Sequence, residues 1–409
     1  MAIVLNMNYK KIVIFVTLLS FYFSNFNINV GFAIKPFMII CFTLFIFLFN
    51  RFEIHKLNKF ELIFIIFYGY FISTGLFAKY SYASLRLIGG ILIVFFSYFI
   101  LRFLLSKISI SEIENMLSQI GIVFNVLSLL FYFIGIVKLG FNFSGNGIKL
   151  WGVMLDRQFP RLIGILNDPN IFVYFNLIFF FYYLTNLNSK RNVFGFFLTS
   201  VTILLTVSRG AILGVVIGTL TSIFISRKRE VLRLTFFVSI AIIVGVIIAD
   251  KFINLDIIGL IQDRINAFKT DGGSGRITLW SYGIEFYLNN PLFGIGIFNF
   301  RPYLFDYTGI DGYLHSTFMD ALVEGGLIGL SLFLLANLIL IINLYRLVKL
   351  NYRARYLLLI AIASLVIMNS LSLIINEVYF LFLAICWRYQ LEVCKNKKLL
   401  GTVIKGDRK

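Results

Sequence analysis

The sequence predicts an all-α polytopic membrane protein, and three observations carry that prediction. Of the 409 residues, 59% are hydrophobic and only 14% charged, against about 25% charged in an ordinary soluble domain. Phe alone occurs 48 times, more apolar surface than a water-soluble fold can hide. The apolar runs are continuous and of helix length rather than short and alternating, which excludes an outer-membrane barrel. Five prolines and the regular polar breaks exclude a fibrous or disordered chain. The net charge of +18 does not imply a nucleic-acid partner, because basic residues in a polytopic protein mark its cytoplasmic loops.

About twelve spans follow in order, at 12–31, 34–50, 60–77, 86–105, 117–137, 170–186, 193–208, 210–226, 232–249, 320–345, 356–375 and 377–391. The first follows Lys10 and Lys11, as a signal peptide would. It is long, carries Asn25, Asn27 and Asn29 at its far end, and lacks a small-residue cleavage site, so it reads as a retained span. The seventh and eighth are separated only by Ser208-Arg209-Gly210, a very short loop. With the N-terminus inside, 24 of the 37 Lys and Arg fall on the inner side and four in short outer loops. The other nine lie in two long segments that report topology weakly. Both termini are therefore expected in the cytoplasm, in an inner (cytoplasmic) membrane protein. Residues 1–249 hold the first nine spans, with an outer loop at 138–169. Residues 250–319 form a long outward-facing loop with interfacial helices near the C-terminal third. Residues 320–409 hold the last three spans and a basic cytoplasmic tail.

Twelve of the 19 acidic residues fall on the outer side, so the site is sought there. Cys41, Cys386 and Cys394 form no CxxC pair and suggest neither a disulfide framework nor a metal. No phosphate-binding GxxxxGK[ST] loop occurs, which excludes a nucleotide-driven pump within this chain.

Four polar clusters stand out. The first runs from Arg157 through Arg161 and Gly164 to Asn167-Asp168-Pro169-Asn170. Taken alone it is a capped helix start, with Asp168 the N-cap and Pro169 in the first turn. The second is Ser208-Arg209-Gly210 between two apolar runs; an arginine there is a functional candidate or a snorkelling side chain at a helix end. The third starts at Gly275-Arg276, passes Trp280 on the same helical face and ends at Asn289-Asn290-Pro291 and Gly294-Ile295-Gly296. Taken alone it is an amphipathic helix lying on the bilayer. The fourth is His315-Ser316 followed by Asp320 and Glu324. Arg157, Arg161, Arg209, Arg276 and His315 come from four segments that the topology places on one side at similar depth. Convergent guanidiniums suit a phosphate or pyrophosphate, which Arg binds bidentately.

The ordered motifs Arg161-x-x-Gly164-x-x-Asn167-Asp168-Pro169-Asn170, Ser208-Arg209-Gly210, Arg276-x-x-x-Trp280 with Pro291-Leu292-Phe293-Gly294-x-Gly296, and His315-Ser316-x-Phe318 with Glu324-Gly325-Gly326-x-x-Gly329 resemble the O-antigen ligase/polymerase family. That family includes Wzy-type repeat-unit polymerases, O-antigen ligases and bacterial protein O-oligosaccharyltransferases. The resemblance covers about 157–335. Ligase-like members usually carry His-Asn where this chain has His315-Ser316.

The resemblance implies a membrane glycosyltransferase that polymerises undecaprenyl-pyrophosphate-linked oligosaccharide units, destined for O-antigen or capsule, on the outer face. It implies no cofactor and no metal. Its partners would be the lipid-linked substrate, membrane lipid, and a chain-length regulator and flippase of the same pathway. Arg276 and Arg209 would be catalytic with His315, the arginines stabilising the departing pyrophosphate and His315 acting as base. Arg157, Arg161, Asn167, Asp168, Asn170 and Ser208 would bind substrate, Trp280 would stack on sugar or sit at the interface, and Asp320 or Glu324 would orient His315. The alternatives are an O-antigen ligase and, from another class, a lipid-linked oligosaccharide flippase or other transporter.

Overall fold

The computed structural model describes residues 7–29, 32–156, 159–226 and 275–406, together with 230, 232, 233, 236, 237 and 240. Arg157, most of the expected ninth span at 232–249 and residues 250–274 of the long loop lie outside them.

The described chain is predominantly helical. In chain order the helices are α1 (Met7–Ser20), α2 (Pro36–Leu48), α3 (Lys59–Leu76), α4 (Ser81–Ser106), α5 (Ile110–Lys138), α6 (Pro169–Thr185), α7 (Lys190–Leu205), α8 (Arg209–Ile225), α9 (Arg276–Asn289), α10 (Phe300–Thr308), α11 (Thr317–Leu350), α12 (Arg355–Ile367) and α13 (Glu377–Gly406). Strands β1 (Ile28–Asn29) and β2 (Ala33–Ile34) make one short hairpin. Strands β3 (Lys149–Leu150), β4 (Val153–Asp156) and β5 (Phe159–Leu162) make a three-stranded antiparallel sheet, with Met154 opposite Arg161. Helices α3, α4, α5 and α11 are long and apolar enough to cross a membrane; α2, α6 and α8 are shorter apolar helices.

Two expected runs end early, each for a visible reason. The run at 12–31 is helical only to Ser20 and gives way to a 3-10 turn and β1, because Asn25, Asn27 and Asn29 favour turns over helix. The run at 356–375 stops at Ile367. Beyond it the backbone unwinds and receives the start of α11. Thr317 N donates to the Met368 carbonyl at 2.8 Å, its hydroxyl donates to the Leu371 carbonyl at 2.6 Å, and Leu373 N donates back to that hydroxyl at 2.9 Å.

Helix α6 is the centre of the bundle. From Phe172 to Thr185 every side chain is buried, so an all-round apolar sequence has been placed where only an all-round apolar helix fits. Helix α8 approaches its neighbours through a stripe of small residues at four-residue spacing. A Cβ on Gly214 would lie 2.6 Å from Ile367, and one on Gly218 would strike the Phe181 ring; such stripes let apolar helices close on backbone. Two buried carboxylates are paired with arginines. Glu61 meets Arg102 at 3.2 Å with both side chains 2% exposed, and the Arg102 guanidinium lies over the Trp387 ring. Glu114 accepts from the Tyr389 hydroxyl at 2.6 Å and pairs with Arg353. These contacts tie α3 to α4 and α5 to α13 at the end of the bundle opposite the candidate site.

Candidate functional site

The site is built at the N-terminal ends of α6, α8, α9 and α11. Asp168 caps α6 as its sequence predicts, accepting from Asn170 N at 2.7 Å and Ile171 N at 3.0 Å through one oxygen. Arg161 on β5 donates from Nε to the Thr206 carbonyl at 2.8 Å and from Nη1 to Asp156 at 2.8 Å. It thereby fastens the sheet to the α7–α8 turn, where Val207 is held at φ +49°. The buried Ser208 hydroxyl donates to the Asn170 side chain, which joins α8 to α6 at the residue before Arg209. Arg209 itself is exposed and has no ion-pair partner among the described residues. Asn167 donates to the Asn25 side chain, bringing the connection after α1 to the same place.

Residues 275–315 form a cap whose small core of Phe286, Ile295, Phe300, Leu304 and Leu314 is closed by Val323 of α11. Two glycine motifs seat this cap. Helix α11 is broken at Gly326, where φ is +66° and ψ −169°. The carbonyls freed by the break find other donors. Ile295 N reaches Val323 O at 3.0 Å, Gly296 N reaches Glu324 O at 3.0 Å, and the Tyr70 hydroxyl reaches Gly325 O at 2.7 Å. In return Leu327 N donates to Pro291 O at 2.8 Å. A Cβ on Gly294 (φ +72°) would lie 2.5 Å from the Glu324 backbone, so only glycine permits the approach. The Pro291–Gly296 and Glu324–Gly329 motifs are thus the two halves of one backbone lock. Leaving those groups unpaired would cost about 1–3 kcal/mol each.

Within the cap, Trp280 on α9 donates its indole N–H to the Leu314 carbonyl at 2.8 Å, which pins the backbone beside His315. That backbone is strained: His315 sits at φ +50°, a region non-glycine residues rarely occupy. Ser316 then caps α11, accepting from Met319 N at 3.4 Å. Arg276, half-buried at the first turn of α9, is held below its ordinary pKa by burial, with Arg161 acting in the same direction and Asp168 opposing. His315 keeps an exposed edge; its pKa is likewise held below the usual histidine value, first by partial desolvation and then by the Arg276 cation, again with Asp168 opposing. Arg161, Asp168, Arg276 and His315, drawn from three separate segments, therefore share one electrostatic neighbourhood.

The family model described as O-antigen ligase matches residues 194–334. Residues 194–334, about a third of the chain, are thus similar to that family. The matched stretch holds Ser208, Arg209, Arg276, Trp280, His315, Asp320 and Glu324, while Arg161, Asn167, Asp168 and Asn170 lie outside it. No curated protein matches the chain.

The residues expected to orient His315 are placed otherwise than the sequence suggests. Glu324 is buried and accepts from Phe298 N at 2.8 Å and Phe300 N at 3.3 Å, so its carboxylate caps the turn that begins α10. Asp320 faces Ser372. The carboxylate whose charge bears on His315 is Asp168. Tyr313, absent from the sequence expectations, stands beside the histidine with ring centroids 6.1 Å apart; an unremarked tyrosine two residues upstream gave no signal of it.

Proposed function

We propose that this chain is a membrane glycosyltransferase that polymerises undecaprenyl-pyrophosphate-linked oligosaccharide repeat units on the outer face of the cytoplasmic membrane. The observation that supports the reading is that the charges of Arg276 and Asp168 both bear on His315, with Arg161 acting in turn on Arg276. The reaction forms a bond from an acceptor hydroxyl to the anomeric carbon and breaks the bond from that carbon to the pyrophosphate. The electron pair leaves with the pyrophosphate oxygen, where Arg276 and Arg209 stabilise the growing charge. The hydroxyl proton goes to His315, which is a free base at neutral pH because partial desolvation and Arg276 disfavour its protonation. Asp168 stabilises the imidazolium that results. Arg161 is already bonded to Asp156 and Thr206, so it contributes field and holds the α7–α8 turn that presents Arg209.

Transport is disfavoured by the way the broken helix is used. Carriers leave unwound backbone facing a midplane cavity, whereas the carbonyls freed at Gly326 are filled by residues 295 and 296 and by Tyr70. The matched family's description favours ligation as the second reading. The modest cap and the Ser316 in place of asparagine favour polymerisation.

Two measurements test this. The outward placement of the cap is read by replacing the exposed Ile310 with cysteine in a Cys394→Ser background, since Cys41 and Cys386 are buried. A membrane-impermeant maleimide is expected to label Ile310→Cys in intact cells or spheroplasts; labelling only after permeabilisation would reverse the topology. The product separates polymerase from ligase. Deletion is expected to leave single repeat units attached at their normal destination. Long chains accumulating on the lipid carrier would make the chain a ligase instead.

A further inference from the structure

We propose that an open groove of about 740 Å³ between the first turn of α4 and α10 seats the acceptor saccharide, its aromatic walls stacking on sugar rings and Arg86 meeting an acidic substituent. The proposal deepens the glycosyltransferase reading and rests on it for the word acceptor.

Among the described residues the lining is unusually aromatic for an exposed surface. Tyr82 is 88% exposed, Phe305 57% and Phe32 44%, and all three border the groove with Arg86, Arg301 and Asp311. Exposed rings gathered in a concavity with a few polar groups mark a binding site rather than scattered surface apolarity. The walls are fixed before any ligand arrives. Ser84 on α4 donates to the Ile297 carbonyl at 2.8 Å, Asn299 donates to the Ser84 hydroxyl at 2.8 Å, and Tyr80 N donates to the Asn299 side chain at 2.9 Å.

The charges are divided between rim and wall. Arg301 is bonded to both oxygens of Asp311 and donates to the Tyr313 hydroxyl at 2.8 Å. Arg86 is exposed and has no ion-pair partner among the described residues, which leaves its guanidinium for a ligand carboxylate or phosphate. An acyl tail would strip water from the Arg301–Asp311–Tyr313 rim without replacing its hydrogen bonds. A saccharide offers hydroxyls that donate to Asp311 and accept from Arg86, and apolar ring faces for the aromatics.

The groove also leads to the base. Phe298 forms part of its wall, its ring lies 6.2 Å from that of Tyr313, and Tyr313 lies 6.1 Å from His315. A glycan stacked in the groove would therefore extend toward the imidazole past two aromatic rings.

The test uses the full chain in detergent and, as probe, the repeat-unit oligosaccharide released from its lipid by mild acid. Saturation-transfer NMR is expected to show binding by the wild type. Tyr82→Ala, Phe305→Ala and Arg86→Ala are each expected to weaken binding about tenfold, one stacked ring or one charged contact being worth that much. All three side chains are exposed, so the variants keep the fold. Unchanged affinity in Tyr82→Ala and Arg86→Ala, no binding by the wild type, or Arg86-dependent retention of phosphatidylglycerol without a saccharide response would each overturn the proposal. Groove-dependent binding by a chain that makes no polymer would sustain the saccharide site and overturn only the enzymatic reading.

Discussion

Arg276→Ala is expected to lower polymer formation by about 10²–10³-fold, the usual cost of removing one preorganised group that stabilises transition-state charge. The size follows from where Arg276 stands. It opens α9, half-buried, with its charge felt by His315 and balanced by Asp168. In so sheltered a place an interaction is worth far more than at an open surface. Arg276→Lys is expected to recover little, because an ammonium cannot make the paired contact that a planar guanidinium offers to phosphate oxygens. The cap is held by its apolar core and by the backbone lock at Gly294 and Gly326, not by Arg276, so the variant should insert and accumulate normally. Arg209→Ala is expected to behave in the same way, since Arg209 has no ion-pair partner among the described residues to lose. Wild-type polymer from normally accumulated Arg276→Ala, measured as the ladder of chain lengths, would reduce this arginine to a surface residue.

The sequence announced the helices through their apolar length, and the cap of α6 through Asp168-Pro169. Local patterns were enough for that, because caps and spans are decided within a few residues. It announced that the glycine motifs mattered without saying why: only the paired geometry shows that Gly294 makes room for the backbone that Gly326 breaks, residues thirty-two positions apart. Trp280 reads as an interface aromatic or a sugar platform, yet its N–H is spent on Leu314. The same limit misassigned the carboxylates. Asp320 and Glu324 lie close to His315 along the chain, but a helix carries them to Ser372 and to the α10 turn. Asp168, far away in sequence, is the carboxylate whose charge bears on the histidine. Tertiary neighbours of this kind leave no local periodicity to read.

His315→Ala is expected to cost about 10²–10⁴-fold in turnover, the range for loss of a general base, while the protein still inserts and binds lipid-linked donor. The pH dependence makes the claim sharper. Partial desolvation and the Arg276 cation hold the imidazole pKa below its ordinary value, so the neutral, proton-accepting form persists to lower pH than in a free histidine. The acid limb of kcat/KM should accordingly fall below about 6.5, the unperturbed value. Asp168 pulls the other way, since its carboxylate favours the imidazolium. Replacing it with asparagine removes that charge while keeping a good N-cap for α6. Protonation of His315 then becomes harder, its pKa drops further, and the acid limb of Asp168→Asn should move to lower pH than in the wild type. Turnover should fall at the same time, because the imidazolium formed as the acceptor loses its proton has lost its counter-charge. A merely structural Asp168 would change protein amount or turnover and leave the limb where it was. A fixed limb in Asp168→Asn, or a fully active His315→Ala, would remove His315 from the chemistry and leave the family match at residues 194–334 untouched.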